Sequence, residues 1–244
     1  MRLALAIIVL VAALPAVARA ESCPAIDGAV PELTQVDARE RLDFLERRLV
    51  PDGRRSLLYS ALWGGTFTGI AGYELVQSRS GGLTRDARER HYVEAGSAML
   101  TPAFIVGMPL YSMIDGPRIR SLSRRAGNDL DPCAALARAE ILFLRDARLE
   151  AEGVHWLNHA FSLVSNVALA GYLGRGRGWK TTGLLFAGGL ASSELQIFTQ
   201  PTDAVAALDE YRHARFATRD PPSVIVVPFV SEKHAAGVII AATF

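Results

Sequence analysis

The sequence predicts a mainly α-helical fold: a four-helix transmembrane bundle built from a tandemly duplicated three-helix unit, followed by a small C-terminal β-hairpin. Three observations carry this expectation. Four apolar segments each reach the length of a membrane span. The first half of the chain overlays the second when shifted along it. The C-terminal tail changes from helical periodicity to β-rich runs.

Composition sets the class. The chain has 244 residues, 50% hydrophobic and 21% charged, with a mean hydropathy of +0.20. That lies on the apolar side of ordinary soluble domains, which run at about 25% charged. Low charge and high apolar content exclude a disordered chain. Lys+Arg number 26 against 25 Asp+Glu, a net charge of +1, which argues against a nucleic-acid partner. Two cysteines in so long a chain exclude a disulfide-framework miniprotein.

Residues 1–20 read as a secretory signal peptide. Arg2 supplies the basic start, Leu3 to Leu14 the apolar stretch, and Ala18-Arg19-Ala20 a small-x-small cleavage site. Residues 21–130 then form the first helical repeat and 131–201 the second. Residues 202–244 hold an external helix and the hairpin. Each repeat has an amphipathic external helix, 35–50 or 132–151, the second opened by Asp131 as N-cap and Pro132 at the first helical position.

The apolar segments run from Ser56 to Val76, Tyr92 to Ile114, Val154 to Leu173 and Thr181 to Phe198. A span needs roughly 20 mostly apolar residues. These segments are rich in Gly, Ala, Ser and Thr, the small residues through which membrane helices approach one another. Pro102 and Pro109 would kink the second. With the N-terminus exported, the connections at 77–91 and 174–180 face the cytoplasm. They carry Arg79, Arg85, Arg88 and Arg90, then Arg175, Arg177 and Lys180, in keeping with the positive-inside rule.

The duplication places Ala38-Arg39 on Ala137-Arg138, Phe44-Leu45 on Phe143-Leu144, and Ala71-Gly72-Tyr73 on Ala170-Gly171-Tyr172. Beyond a longer first loop, Ala103 falls on Ala187 and Gly107 on Ala191. Small-residue faces at Gly65 and Gly69, and at Ala187 and Ala191, are expected to seat neighbouring helices within the bundle.

The third segment has the most polar face. His155, His159, Ser162 and Asn166 fall on one helical stripe. Glu194 on the fourth segment is the expected partner of His159, since an ionisable side chain in a membrane points to a functional site. His155, His159, Asn166 and Glu194 are therefore the polar-face candidates. The histidine pair lacks a third ligand at metalloprotease spacing, so no metal and no catalytic residue is assigned, and no cofactor is expected. There is no Walker loop, GxGxxG, GxSxG or CxxC. Cys23 and Cys133 both fall on the external side, where a disulfide between them is allowed.

Val224 to Val230 and Gly237 to Phe244 flank a polar turn, Ser231 to Ala236, and suggest the hairpin. This tail, with a Pro-containing strand and a terminal Phe, resembles the ending of a loosely defined group of exported, Gly/Ala-rich helical membrane proteins from GC-rich myxobacteria. Here Ser231-Glu232-Lys233-His234 replaces the group's glycines and Ala242-Thr243 a Gly-Arg pair. The resemblance implies export and helical membrane architecture, and no reaction.

The expected role is structural or interactive, in an integral membrane protein of the cell envelope. The expected location is the bacterial inner membrane with periplasmic segments, with a periplasmic or outer-membrane-associated protein as the alternative. Expected partners are the lipid bilayer and a second copy or another envelope protein. The runner-up is a small transporter or channel using the polar face of helix 154–173, and behind it a membrane-embedded enzyme.

Overall fold

The computed structural model describes residues 22–107 and 110–216, and the backbone of strands at 223–230 and 236–243. The signal peptide at 1–20, Pro109 and the turn at 231–235 lie outside the described residues. The chain is mainly helical. Its helices are α1 (Ala38–Gln77), α2 (Arg85–Gly107), α3 (Ser112–Arg125), α4 (Pro132–Gly153), α5 (Trp156–Leu173), α6 (Trp179–Phe198) and α7 (Asp203–Arg212), with a short 3-10 turn at Pro31–Gln35. The strands β1 (Ser223–Val230) and β2 (Ala236–Thr243) pair antiparallel, with Val226 opposite Ile240.

Helix starts follow the local chemistry. The Asp37 carboxylate accepts from Arg39 N at the head of α1, and the Asp131 carboxylate accepts from Ala134 N at the head of α4, ahead of Pro132. One boundary differs from expectation. The first external helix and the first apolar segment are not separate elements, because α1 runs unbroken for 40 residues with Pro51 inside it. In the second half the chain does break, between Gly153 and Trp156, where the His155 ring accepts from Leu157 N at 3.4 Å.

The packed bundle is a different one from that expected. It is made by the amphipathic parts: the N-terminal half of α1 with α3, α4 and α7. Their core holds Leu42, Phe44, Leu45, Leu49, Ile119, Leu136, Phe143, Ala207 and Tyr211. The spacing 42, 45, 49 on α1 and 136, 139, 143, 147 on α4 is the helical repeat that puts one stripe inward. Cys23 and Cys133 form a disulfide with Cα atoms 5.5 Å apart, tying the N-terminal segment to the start of α4. At the centre Arg41 is fully buried. It pairs with Glu140 and donates to Tyr211 Oη at 2.9 Å and to the Cys23 and Pro24 carbonyls at 3.1 and 2.9 Å.

The apolar segments form two helical hairpins projecting from this head, α1 with α2 and α5 with α6. They do not interlock as one four-helix bundle. Links between them include Tyr59 Oη donating to the Gln196 carbonyl at 2.9 Å and a Tyr172–Glu89 hydrogen bond. The hairpins leave large apolar side chains outside, with Val106 82%, Leu184 76%, Val164 67% and Phe161 62% exposed. Among the described residues one helical stretch, Arg85–Arg125, is long and apolar enough to cross a membrane by length and composition. Only 12% of its apolar window is buried. Four spans were expected on length; the other three segments are diluted by polar and small residues such as Gly64, Gly65, Asn158, His159, Asn166 and Glu194.

Candidate functional site

Three polar candidates converge on the seam between α5 and α6. His159, Ser162 and Asn166 share a face of α5, and Gly189, Ser193 and Glu194 meet them from α6. His159 Nδ1 stands 2.5 Å from Glu194 Oε2 and the Ser162 and Ser193 hydroxyls are 2.7 Å apart. Asn166 Nδ2 donates to Ser193 Oγ at 2.9 Å and to the Ser162 carbonyl at 2.8 Å. The Phe198 ring covers His159 at 5.3 Å between centroids. Each polar group is already answered by a neighbour. A hydrogen bond of this kind contributes about 0.5–1.5 kcal/mol net. The His–Glu pair is the one element of the seam able to hold or pass a proton.

His155 is not part of that seam. It caps α5 at an exposed position beside the Trp156 ring. A residue one turn from His159 is spent on starting the helix, so the two imidazoles do not form a pair. The small-residue faces also differ from expectation. A Cβ added at Gly65 or Gly69 would meet nothing within 4 Å, and Ala187 and Ala191 are exposed. The glycine that seats α5 on α6 is Gly189, where a Cβ would come within 2.2 Å of Asn166 Oδ1. Because α5 approaches α6 along its polar stripe, the Gly/Ala stripe turns outward.

A group of buried acids at the base of the head was not singled out from the sequence. Asp52 on α1, Asp115 on α3, and Asp146 and Glu150 on α4 are all almost completely buried. Burial is the main cause that pushes three of these carboxyls up: Asp52 to about 6, Asp146 to about 8 and Glu150 to about 10. The charge of Asp52 raises the Glu150 carboxyl further and that of Asp115 raises Asp146, whereas the hydrogen bond with Glu150 lowers Asp52. Asp115 pairs with Arg145 and, at 3.2 Å, with Arg118. Glu150 Oε2 accepts from Ala204 N at 2.9 Å, closing the first turn of α7. The signal lay in the stripe itself. Positions 42, 45 and 49 continue to Asp52 and Ser56, and 136, 139 and 143 continue to Asp146 and Glu150.

Two close approaches fix this base. A Cβ at Gly53 would lie 2.4 Å from the Ser112 carbonyl oxygen, and one at Gly116 would lie 2.8 Å from that of Leu49. The Ser56 and Ser112 hydroxyls meet at 2.7 Å across the same crossing. An open groove of about 430 Å3 between α3 and α4, lined by Arg118, Leu122, Arg138 and Ile141, holds no carboxylate and meets the acid group only through the Arg118–Asp115 pair.

At the far end of the first hairpin, Glu74 near the end of α1 stands 2.6 Å from His91 Nδ1 on α2, with Glu94 beside them. No family model matches the chain, and no curated protein or solved structure is similar to it.

Proposed function

We propose that the protein is an integral component of the cell envelope with a structural or interaction role. In this reading two helical hairpins sit in the bilayer and carry a disulfide-closed helical head on the exported side. The observation that carries it is the contrast in burial. The head closes over its own core, whereas the hairpins turn Val106, Phe161, Val164 and Leu184 outward. Exposed apolar area on this scale marks a surface meant for lipid or protein. The disulfide supports an oxidising compartment for the head, which fits an inner-membrane protein with periplasmic segments.

Tandem duplication belongs to the same proposal. The order external part, hairpin, external return occurs twice: α1 with α2 and α3, then α4 to α7. The strands β1 and β2 are read as the arms of a C-terminal hairpin.

Carbonate extraction of membranes from cells making the full chain tests the reading. The protein is expected to stay in the membrane pellet and to leave it only with detergent. Release by carbonate refutes insertion. A transporter or channel would use His159 and Glu194, but their seam is closed by its own hydrogen bonds, which favours the structural role.

A further inference from the structure

We propose that Glu74, His91 and Glu94 form a binding site for a divalent first-row transition-metal ion at the loop end of the α1–α2 hairpin. One imidazole nitrogen and two carboxylate oxygens, one from each residue, lie within 4.8 Å of one another, and all three side chains are half-buried. Two elements supply them. Glu74 comes from the last turn of α1, while His91 and Glu94 stand three residues apart on one face of α2. The short connection between the helices holds the two sources together, so the set is assembled by the hairpin itself.

The donor chemistry selects the ion. An imidazole with two carboxylates suits zinc, manganese or ferrous iron, whereas magnesium and calcium prefer oxygen alone. Two carboxylates balance a double positive charge. The Glu94 carboxylate faces that of Glu74, so two acidic groups meet at the site. The basic groups whose fields reach Glu94 are His91 and Arg177, and Glu74 is the other acid. Ligands about 2.1 Å from one ion stand about 3.4 Å apart, so closure asks for movements of about an ångström. Three protein ligands leave a position open to water.

Metal entry replaces the His91–Glu74 hydrogen bond, whose atoms lie 2.6 Å apart, and so releases a proton. Bound metal would clasp α1 to α2 at the end opposite the head.

The full chain, purified in detergent and stripped with chelator, is titrated with Zn2+ by calorimetry and with Co2+ by visible absorbance. One saturable site per chain is expected, with a Co2+ d–d band and proton release on binding. Excess Mg2+ is expected to leave it unchanged. H91N and E94Q should each lose the band, while H159N, which alters the other His–Glu pair, should keep it. Circular dichroism and gel filtration check that each variant is folded. If H91N does not fold, E94Q and E74Q decide. Absence of the Co2+ band in the wild type, or its survival in folded H91N or E94Q, overturns the site.

Discussion

Arg41 makes its buried ion pair with Glu140, the residue 99 positions further on. Phe44 and Phe143 stand at the same offset along the chain, and each packs on the Tyr211 ring with centroids 5.6 Å apart. Arg41 with Glu140, and Phe44 with Phe143 through the Tyr211 ring, thus tie α1 to α4 at the centre of the head. Tyr211 closes the group by donating to Glu140 at 2.5 Å. Burial and the adjacent carboxylate both drive its hydroxyl well above the usual tyrosine range.

Removing one member of that pair leaves the other charged and buried. Glu140→Ala is expected to destabilise the head by about 3–5 kcal/mol, with Arg41→Ala similar. Replacing both by Ala should cost clearly less than the sum of the single changes. Urea unfolding of the four proteins in detergent, followed by circular dichroism, measures the cycle. Additive losses would show that the two side chains are not coupled.

Cys23 and Cys133 close a loop with a sequence separation of 110. Cys23→Ser with Cys133→Ser should lower stability by about 2–5 kcal/mol, chiefly because the unfolded chain regains freedom. The wild type in reducing agent should unfold at the midpoint of the double variant, as seen by thermal melts. Unchanged melting on reduction would mean the link is dispensable.

The base acids make stability depend on pH in a defined direction. The Asp146 and Glu150 carboxyls are raised, to about 8 and about 10, from values near 4. The folded head therefore holds protons that the unfolded chain has already released. Their contribution to stability is fully present below the ordinary carboxylate range and is lost as pH rises towards 8 and then 10. Denaturation midpoints between pH 5 and pH 9 should decline, and Asp146→Asn should flatten the slope. A midpoint that rises with pH would contradict the assignment.

Gly53 and Gly116 should be far less replaceable than Gly65. Gly53→Ala drives a Cβ to 2.4 Å from the Ser112 carbonyl oxygen, and Gly116→Ala to 2.8 Å from that of Leu49. Backbone has no rotamer with which to yield, so each change should cost about 1–3 kcal/mol. Gly65→Ala meets nothing, and its gain in helix propensity is expected to leave stability equal or higher. Melting temperatures of the three variants provide the comparison.

Local signals were readable from the sequence. Asp131 and Pro132 locate the start of α4 and the apolar runs mark the courses of α1, α2, α5 and α6, whereas α3 and the continuity of α1 through Pro51 were not foreseen. The interacting faces of α5 and α6 were less legible. Helical spacing brings His159, Ser162 and Asn166 onto one side, but a stripe of Gly and Ala occupies another. Which side meets a neighbour depends on the whole hairpin, and here the polar side does. The buried acids were hidden differently. Composition treats Asp52, Asp146 and Glu150 as surface charge, and only their continuity with the leucine stripe reveals that they enter the interior. His155 shows a third kind of ambiguity, since the same residue can serve a helix face or a helix cap.

The two halves differ in how they transmit force. At about 1.5 Å per residue, the 40 residues of α1 make a rod about 60 Å long, twice the thickness of a bilayer core. Pro51 removes one rung of its hydrogen-bond ladder, yet the adjacent Gly53 is held against Ser112, which keeps that point from acting as a joint. The second half turns a corner at 153–156, between α4 and α5, which Asn158 braces by donating to the Glu152 and Gly153 carbonyls. A push on the head would tilt the first hairpin with it as a single lever, while in the second half it would load that corner. One leg is a straight strut and the other a braced bend.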